Sequence, residues 1–348
     1  MANPFVSDVV RLSGRDAVDV IEYCYEQGWT DGLPVVPPVP WRVAQMLEAG
    51  GRAGGEVLGT LPFRRRRITV EKVAINAVMA GCRPEYFPVV LACAEAMLEE
   101  AFGLHLAAAS THSPAILVLI NGPVRAQLAV NCANNAFSPG WRANATIGRT
   151  IRLVLLNLCG AAPADFDGGT MGNPAKYSYC IGEFEEASPW EPFHVSRGLP
   201  PGSSAVTLFI ADAPRQINSR LSQDPEVILR AVVDMMTPVG TGTIQPDEGG
   251  FLLVMGPEHA GIIAGRGWSR TDVCRFLYEQ ARRPLVDFKR AARVRGSIEP
   301  GDNSRLLSMM RHPQDAFLAV AGSLAGQYSL VIPIQTHTTV ITKPVAAA

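Results

Sequence analysis

The sequence predicts an α/β fold in which two pseudo-repeated halves pack about a shared cleft. The prediction rests on two segments, ILVLINGPVRAQL (116–128) and FLLVMGPEHAGII (251–263), each of which reads as a strand, a Gly-Pro turn and a helix. Each half also carries a Tyr-Ser pair before a later apolar strand, at Tyr177-Ser178 and Tyr328-Ser329. Such a duplication would turn the polar ends of both halves toward one cleft, the commonest place for a small-molecule site.

Composition indicates a globular protein with a large core, since 47% of the 348 residues are hydrophobic and 18% are charged. The net charge of -1 gives no general attraction to nucleic acids or anionic membranes, so we expect neither as a partner. No apolar run approaches the length of a membrane span, and residues 1–16 lack a signal-peptide pattern, which together favour a cytoplasmic location. The seven cysteines show no CxxC or metal-finger spacing, which favours reduced thiols.

Three regions are expected along the chain. Residues 1–60 read as an N-terminal helix and a proline-rich arm, residues 61–200 as the first α/β half, and residues 201–348 as the second half. The first half carries the proposed site because it holds the chemically richer loops. The second half would supply the other wall of the cleft.

The N-terminal region contains two helix-like segments, 15–27 and 41–49, joined by the arm TDGLPVVPPVP (30–40). The arm cannot be helical because proline lacks the amide hydrogen, and its apolar residues predict that it is extended and buried. The four consecutive arginines of Arg64–Arg67 follow a glycine-rich loop. They fit either a surface run or subunit contact, or a rim that attracts anions.

The remaining elements follow from apolar periodicity and from Gly and Pro at their ends. Helices are predicted over 71–80, 86–102, from 124 onward, 142–158, 225–236, 257–264 and 269–282. Strands are predicted over 115–120, 205–210 and 251–255, with a further strand after Tyr328-Ser329.

The segment GNPAKYSYCIGEFEEASPWEPFHVSR (172–197) concentrates the reactive side chains of the chain. Its catalytic candidates are Tyr177, Cys180, Glu183, Glu185 and His194, and Glu186 and Glu191 add two more carboxylates. Crowded carboxylates disfavour one another's ionised forms, so the cluster must be solvated, paired with arginine or metal, or partly protonated. A solvated surface connection is the alternative interpretation.

A second polar segment, Asn131–Gly140, leads into the helix predicted from residue 142. Its substrate-binding candidates are Asn131, Asn134, Arg142 and Asn144, joined by Lys176 from the reactive segment. Amide donors and a guanidinium at a helix N-terminus favour a carboxylate or phosphate. The asparagines could instead be turn and cap residues.

Four segments together resemble an uncharacterised bacterial family whose members are often encoded beside small proteins with a Cys- or Sec-Gly-Ser-Cys motif. They are TDGLPVVPP, SPGWRANATIGR, GNPAKYSYCIGEFEEASPWEPFHVSRG and GPEHAGIIAGRGWSRTDVCRFL, and the resemblance covers nearly the whole chain. It implies, by association, a thiol- or selenol-linked conversion with a small Cys-rich protein as candidate partner. Trp141 and Phe184 stand where the family more often has asparagine, which implies a larger or less polar substrate and adds Trp141 to the substrate-binding candidates.

Two enzymatic mechanisms fit these residues. In the first, Cys180 is a nucleophile or thiol acid/base, His194 is its partner and Arg142 holds an anionic substrate, although the glutamates would raise the thiol pKa. In the second, one glutamate is a protonated general acid and another the base, or Glu183 or Glu185 binds a divalent metal together with His194. Both predict a lyase or hydrolase that forms or cleaves a carbon-heteroatom bond.

A third hypothesis is a non-catalytic or partner-dependent subunit of a thiol- or selenol-linked enzyme complex. The proline-rich arm and the arginine run would then serve contacts in a homo-oligomer or with a Cys-rich partner. Neither GxxxxGK[ST] nor GxGxxG occurs, so the usual nucleotide cofactor sites are not expected.

Overall fold

The computed structural model of the chain describes residues 5–14, 16–61, 66–163, 165–240 and 245–346. The fold is α/β with a mixed parallel and antiparallel sheet, which confirms the predicted fold class. The helices of these residues are α1 (Ala17–Glu26), α2 (Pro40–Gly50), α3 (Val70–Ala80), α4 (Phe87–Leu98), α5 (Leu104–Ala109), α6 (Pro123–Gln127), α7 (Arg142–Asn157), α8 (Phe193–Ser196), α9 (Pro225–Met236), α10 (Pro257–Gly265), α11 (Arg270–Gln280) and α12 (Leu285–Arg290). Their strands are β1 (Val57–Leu61), β2 (Arg66–Thr69), β3 (Ala115–Asn121), β4 (Cys180–Gly182), β5 (Ala205–Ala211), β6 (Arg215–Asn218), β7 (Gly250–Met255), β8 (Arg282–Pro284), β9 (Leu306–Ser308), β10 (Ala316–Val320), β11 (Tyr328–Ile334) and β12 (Ile341–Pro344).

Side-chain caps explain where several helices begin. The Asp16 carboxylate accepts hydrogen bonds from the first turn of α1, and Asp224 does the same at α9, where Pro225 occupies the first helical position. At α11, Ser269 and Asp272 cap each other reciprocally.

The main sheet of the described residues has eight strands, with the central order β10-β7-β11-β5-β3-β4. The pairs β3/β4 and β7/β10 are parallel, and the other pairs are antiparallel. The pattern of parallel and antiparallel pairs is therefore the same when counted from either edge, and β5 and β11 lie at the centre. Two further strands are exchanged, because β6 follows β5 but pairs with β11, whereas β12 follows β11 but pairs with β5.

This order is compatible with a duplication, which stays a prediction. The Tyr-Ser pairs do not occupy matching places in it. Tyr177-Ser178 precedes β4, the parallel neighbour of β3, whereas Tyr328-Ser329 begins β11, which is antiparallel to β7. The sheet also crosses the predicted boundary between residues 200 and 201, since β5 lies beyond that boundary and pairs with β3.

Alternating side chains of the sheet enter different cores. Val118 and Leu208 belong to a core that includes α3, α4 and α7, whereas Leu253 and Leu318 belong to one that includes α9 and α11. The intervening residues of both halves share a third core, in which the rings of Phe193, Phe209 and Phe317 lie 5.7–6.2 Å apart between centroids. Both faces of the strands are therefore buried, as their apolar runs predict.

The two edge strands of the sheet approach each other at their carboxyl ends. Just after β4, the Phe184 N–H donates a 2.7 Å hydrogen bond to the Val320 carbonyl at the end of β10. Sheet curvature thus brings a loop of the first half against the second half.

The proline-rich arm crosses the body of its own chain. The Asp31 carboxylate accepts hydrogen bonds from Arg149 NH2 at 2.7 Å and from Arg149 Nε at 2.8 Å. The Val36 N–H donates to the Met79 carbonyl, and Val35 is buried. The expected burial is wrong for Leu33, which is 42% exposed, because Leu33 lies in the bend at the start of the arm, before the residues that include the buried Val35.

In the arginine run, Arg64 and Arg65 lie outside the described residues. Arg66 and Arg67 lie on β2, paired with β1, and both are exposed. None of the described helices combines the length and the apolar character that crossing a membrane requires.

Candidate active site

A polar cluster lies at the carboxyl ends of the parallel strands β3 and β4. Asn121 is the last residue of β3, and Glu183 follows the last residue of β4. Because neighbouring parallel strands end at the same edge of a sheet, these two side chains meet there.

Glu183 is completely buried. Its carboxylate accepts hydrogen bonds from Asn121 Nδ2 at 2.5 Å, from the Phe193 N–H at 2.6 Å and from the Val320 N–H at 3.4 Å. Arg270 NH2 from the second half lies 3.9 Å away. Burial raises the pKa of Glu183, and the hydrogen bonds and the Arg270 charge only partly offset this.

Glu185 is the more accessible carboxylate of the pair, with 16% of its side chain exposed. One of its oxygens accepts hydrogen bonds from Asn121 Nδ2 at 2.9 Å and from the Gly122 N–H at 2.7 Å. Gly122 is needed at this place because its φ is +81° and a Cβ would lie 2.1 Å from the Ser203 carbonyl oxygen. A single amide group therefore links both carboxylates.

Arg125 extends the cluster toward solvent. Its buried guanidinium pairs with Glu186 at 2.6 Å, lies 3.8 Å from Glu185 and donates to Cys132 Sγ at 3.3 Å. Burial raises the pKa of the Cys132 thiol, which the Arg125 charge opposes. The glutamates of the reactive segment are thus partly paired with arginine.

His194 lies on the short helix α8 and is buried. Burial lowers its pKa, while the Glu185 charge and the nearby Pro200 carbonyl act in the opposite direction. Neither ring nitrogen makes a hydrogen bond of ordinary geometry within the described residues, and neither does Asn121 Oδ1. These are uncommon features for buried polar atoms.

A cavity of about 450 Å³ lies between loops of the two halves, and the reactive segment contributes Phe184 to its walls. Its walls include Asn131, Asn134 and Trp141 from the first half, Leu324 from the second, and Phe184 between the two glutamates. The loops are joined by a hydrogen bond from the Gly322 N–H to the Cys132 carbonyl. Three of the predicted substrate-binding residues therefore lie together, on walls without a charged side chain.

The structure does not bring the other substrate-binding candidates to this cavity. Arg142 donates two hydrogen bonds to the Gly81 carbonyl, and Lys176 forms an ion pair with Asp167 at 2.8 Å. Asn144 binds the backbone of Asn131 at 2.8 and 2.9 Å, which orders the loop.

Two catalytic candidates also lie apart from the carboxylates. Tyr177 is 54% exposed. Cys180 packs in the core with α3, α4 and α7, where burial and the neighbouring Cys82 raise its pKa. These surroundings favour the neutral thiol, whereas a nucleophile needs thiolate character, so the role of Cys180 stays a prediction.

Within the described ranges, no group of three or more His, Cys, Asp or Glu side chains is placed to hold a metal ion. Glu183, Glu185 and His194 therefore do not form such a group. The carboxylates are instead held by N–H donors and by Arg125.

Neither the family models nor the curated proteins compared with the chain gave a match. The resemblance to the bacterial family stays an expectation. The chemical interpretation therefore depends on the geometry of the site.

Three residues of the cluster were not predicted as functional. Asn121 and Arg125 flank a Gly-Pro turn at the end of a buried strand, and this position is a usable signal for a site. No sequence pattern marks Arg270, because its approach to Glu183 depends on the contact between the two edges of the sheet.

Proposed function

We propose that this chain is an enzyme that uses Glu185 and His194 to move a proton while a carbon-heteroatom bond of a small substrate is cleaved or formed. The observation that carries the proposal is the link, through the single Asn121 amide, between a completely buried carboxylate and a partly exposed one. Two neighbouring carboxyl groups in different environments are a recurrent basis for acid-base catalysis.

Glu185 is the catalytic base of this proposal because its carboxylate is the more accessible. Two N–H donors, from Asn121 and Gly122, fix its position. Glu183 is a positioning residue. It binds Asn121, which holds Glu185, and it binds the Phe193 N–H directly before His194.

His194 is the proton relay. Its lowered pKa keeps the imidazole neutral at neutral pH, and a neutral imidazole can accept a proton on one nitrogen while releasing the proton of the other. In an elimination, Glu185 takes the proton from carbon, the electron pair forms the double bond, and the leaving heteroatom departs. The proton passes through His194 to the leaving group, so atoms and charge balance.

The substrate occupies the cavity beside Phe184 in this proposal. Its walls combine the rings of Trp141 and Phe184 with the Asn131 and Asn134 side chains. Uncharged walls suit an uncharged, partly apolar substrate better than the anionic one that the sequence suggested, because no wall side chain compensates a desolvated anion.

The test is turnover by the purified chain of small carbonyl compounds that carry a hydroxy, thio or amino group on the β carbon. Nuclear magnetic resonance in D₂O would detect both the elimination product and deuterium exchange at the carbon next to the carbonyl. Glu185→Gln should lower either rate at least about 100-fold, as loss of a general base does. Glu191→Gln, an exposed position of the same segment, should leave it unchanged.

Two results would contradict the proposal. One is the absence of exchange and elimination across the whole panel with the wild-type chain. The other is a Glu185→Gln variant that is folded and as active as the wild-type protein.

A further inference from the structure

A second cavity, of about 470 Å³, lies on the other side of the first half. It is lined by residues of α1, the proline-rich arm, α3 and the segment 5–12. None of its wall residues belongs to the candidate active site. Its volume lies within the range of small-molecule pockets.

The walls of this cavity are mainly apolar. Val20 and Tyr23 of α1 line it with Ile75 of α3, and the Tyr23 and Trp29 rings pack edge to face with centroids 5.8 Å apart. Burying aromatic and aliphatic surface of this kind against a ligand is favourable, because it removes that surface from water.

The polar groups of the cavity are largely occupied by one another. Asn157 Nδ2 donates to Asn76 Oδ1 at 2.7 Å and to the Trp29 carbonyl at 3.0 Å. The buried Glu71 carboxylate accepts the Val6 and Ser7 N–H groups, both at 2.8 Å. Glu71 therefore fastens the segment 5–12.

Residues 5–12 keep apolar surface exposed at the cavity, and a ligand would bury it. Val9 and Val10 line the cavity, yet they are 45% and 53% exposed. Among the described residues of its walls, the charged ones are two carboxylates, Asp8 and Glu71, and one ammonium, Lys72. This balance disfavours an anion, and a cation would lose its hydration beside a carboxylate that backbone N–H groups already occupy.

We infer that this cavity is a binding site for an uncharged, largely apolar small molecule, held against residues 5–12. The ligand packs against α1 and α3 and buries Val9 and Val10. The site is independent of the proposed enzymatic function.

The test is fluorescence titration of the full chain with N-phenyl-1-naphthylamine, an uncharged apolar probe. We expect saturable binding at one site per chain. Val20→Trp fills the cavity and should weaken binding at least 10-fold. Val227→Trp is the matched control, since Val227 is 47% exposed on α9 of the second half, and it should bind as the wild-type protein does.

Leu158→Trp fills the cavity from the opposite wall and gives the same test if Val20→Trp does not fold. Binding that does not saturate, or that is equally tight in a folded cavity-filling variant, would overturn the inference. The anionic analogue 1-anilinonaphthalene-8-sulfonate should bind at least 10-fold more weakly at this site. Equal binding of the two probes would overturn the assignment of an uncharged ligand.

Discussion

His194 and Asn121 place polar atoms in the protein interior that make no hydrogen bond of ordinary geometry within the described residues. Each such atom costs about 1–3 kcal/mol relative to a satisfied one. The Asn121 side chain uses its amide nitrogen alone to donate hydrogen bonds to both carboxylates. Its side-chain oxygen is therefore left for another partner. A bound substrate or water that pairs with these atoms would recover the cost, which is consistent with a site prepared for a polar ligand.

The buried Glu183 carboxyl group should make the stability of the protein depend on pH. We expect the stability of the wild-type protein relative to Glu183→Gln to fall as the pH rises. Burial raises the pKa of Glu183, so the folded protein holds this proton more tightly than the unfolded chain does. Stability from this group is complete below the unfolded pKa of about 4.3 and is lost as the pH rises through the folded pKa.

Free energies of unfolding from urea denaturation between about pH 4 and pH 8 measure this difference. Glu191→Gln, at an exposed position of the same segment, should show a constant difference from the wild-type protein. If the advantage of the wild type over Glu183→Gln grew with pH, the ionised carboxylate would be the form that folding stabilises, and the raised pKa of Glu183 would be wrong.

At the scale of elements, apolar runs closed by Gly and Pro were the reliable signals. They predict β3, β7 and α9 to within a residue, because a buried strand or an amphipathic helix is specified by its own side chains. The helix predicted over 86–102 ends earlier, at Leu98, where Glu99 turns to extended backbone before a short 3-10 turn. Strand β6 was missed since its sequence, Arg215–Asn218, becomes a strand only by pairing with β11.

The difference between local sequence signals and contacts set by packing also explains which residues of the candidate site were predicted. Glu185 and His194 could be named from residue type, because their chemistry belongs to the side chain itself. The candidates Arg142 and Lys176 were also named from residue type, but their partners, the Gly81 carbonyl and Asp167, are set by packing. Sequence patterns carry no direct information on such pairs.

The proline-rich arm is held to the body of the protein by the ion pair between Asp31 and Arg149. Arg149→Met should lower the free energy of unfolding by about 3–5 kcal/mol, because it leaves the Asp31 carboxylate, only 2% exposed, without its counter-charge. The same substitution also removes hydrogen bonds to the Leu33 and Pro34 carbonyls. Urea denaturation measures the loss.

Arg230→Met is the matched control, since Arg230 forms an exposed ion pair with Glu226 on α9 and should lose no more than about 1 kcal/mol. An equal, small loss in both variants would show that the arm is not held by its ion pair.

At the scale of the whole molecule, the second half completes the site of the first. Arg270 at the start of α11 donates to the Leu318 carbonyl of β10 and to the Glu191 carbonyl of the reactive segment, and it lies 3.9 Å from Glu183. One guanidinium therefore joins both edges of the curved sheet beside the buried carboxylate. The sequence indicated a shared cleft through its two Gly-Pro units, but the meeting of β4 and β10 depends on sheet curvature, which no local pattern encodes.

This arrangement predicts that Arg270→Met opens the contact between the two edges. Hydrogen exchange should become at least about 10-fold faster at the amide of Phe184, which donates to Val320, because local opening then costs less free energy. Exchange in β3 and β5, inside the sheet, should be unchanged. Hydrogen exchange resolved by nuclear magnetic resonance or mass spectrometry would measure both regions.

Arg275→Met is the control, because Arg275 lies on the same helix and forms an exposed ion pair with Asp272. The Arg270 charge also lowers the pKa of Glu183, so its removal should raise that pKa further and move the loss of stability in Arg270→Met to higher pH. Unchanged exchange at Phe184 together with an unchanged pH profile would mean that the halves are held together without Arg270. A change in exchange alone would separate its role in joining the edges from its role beside the carboxylate.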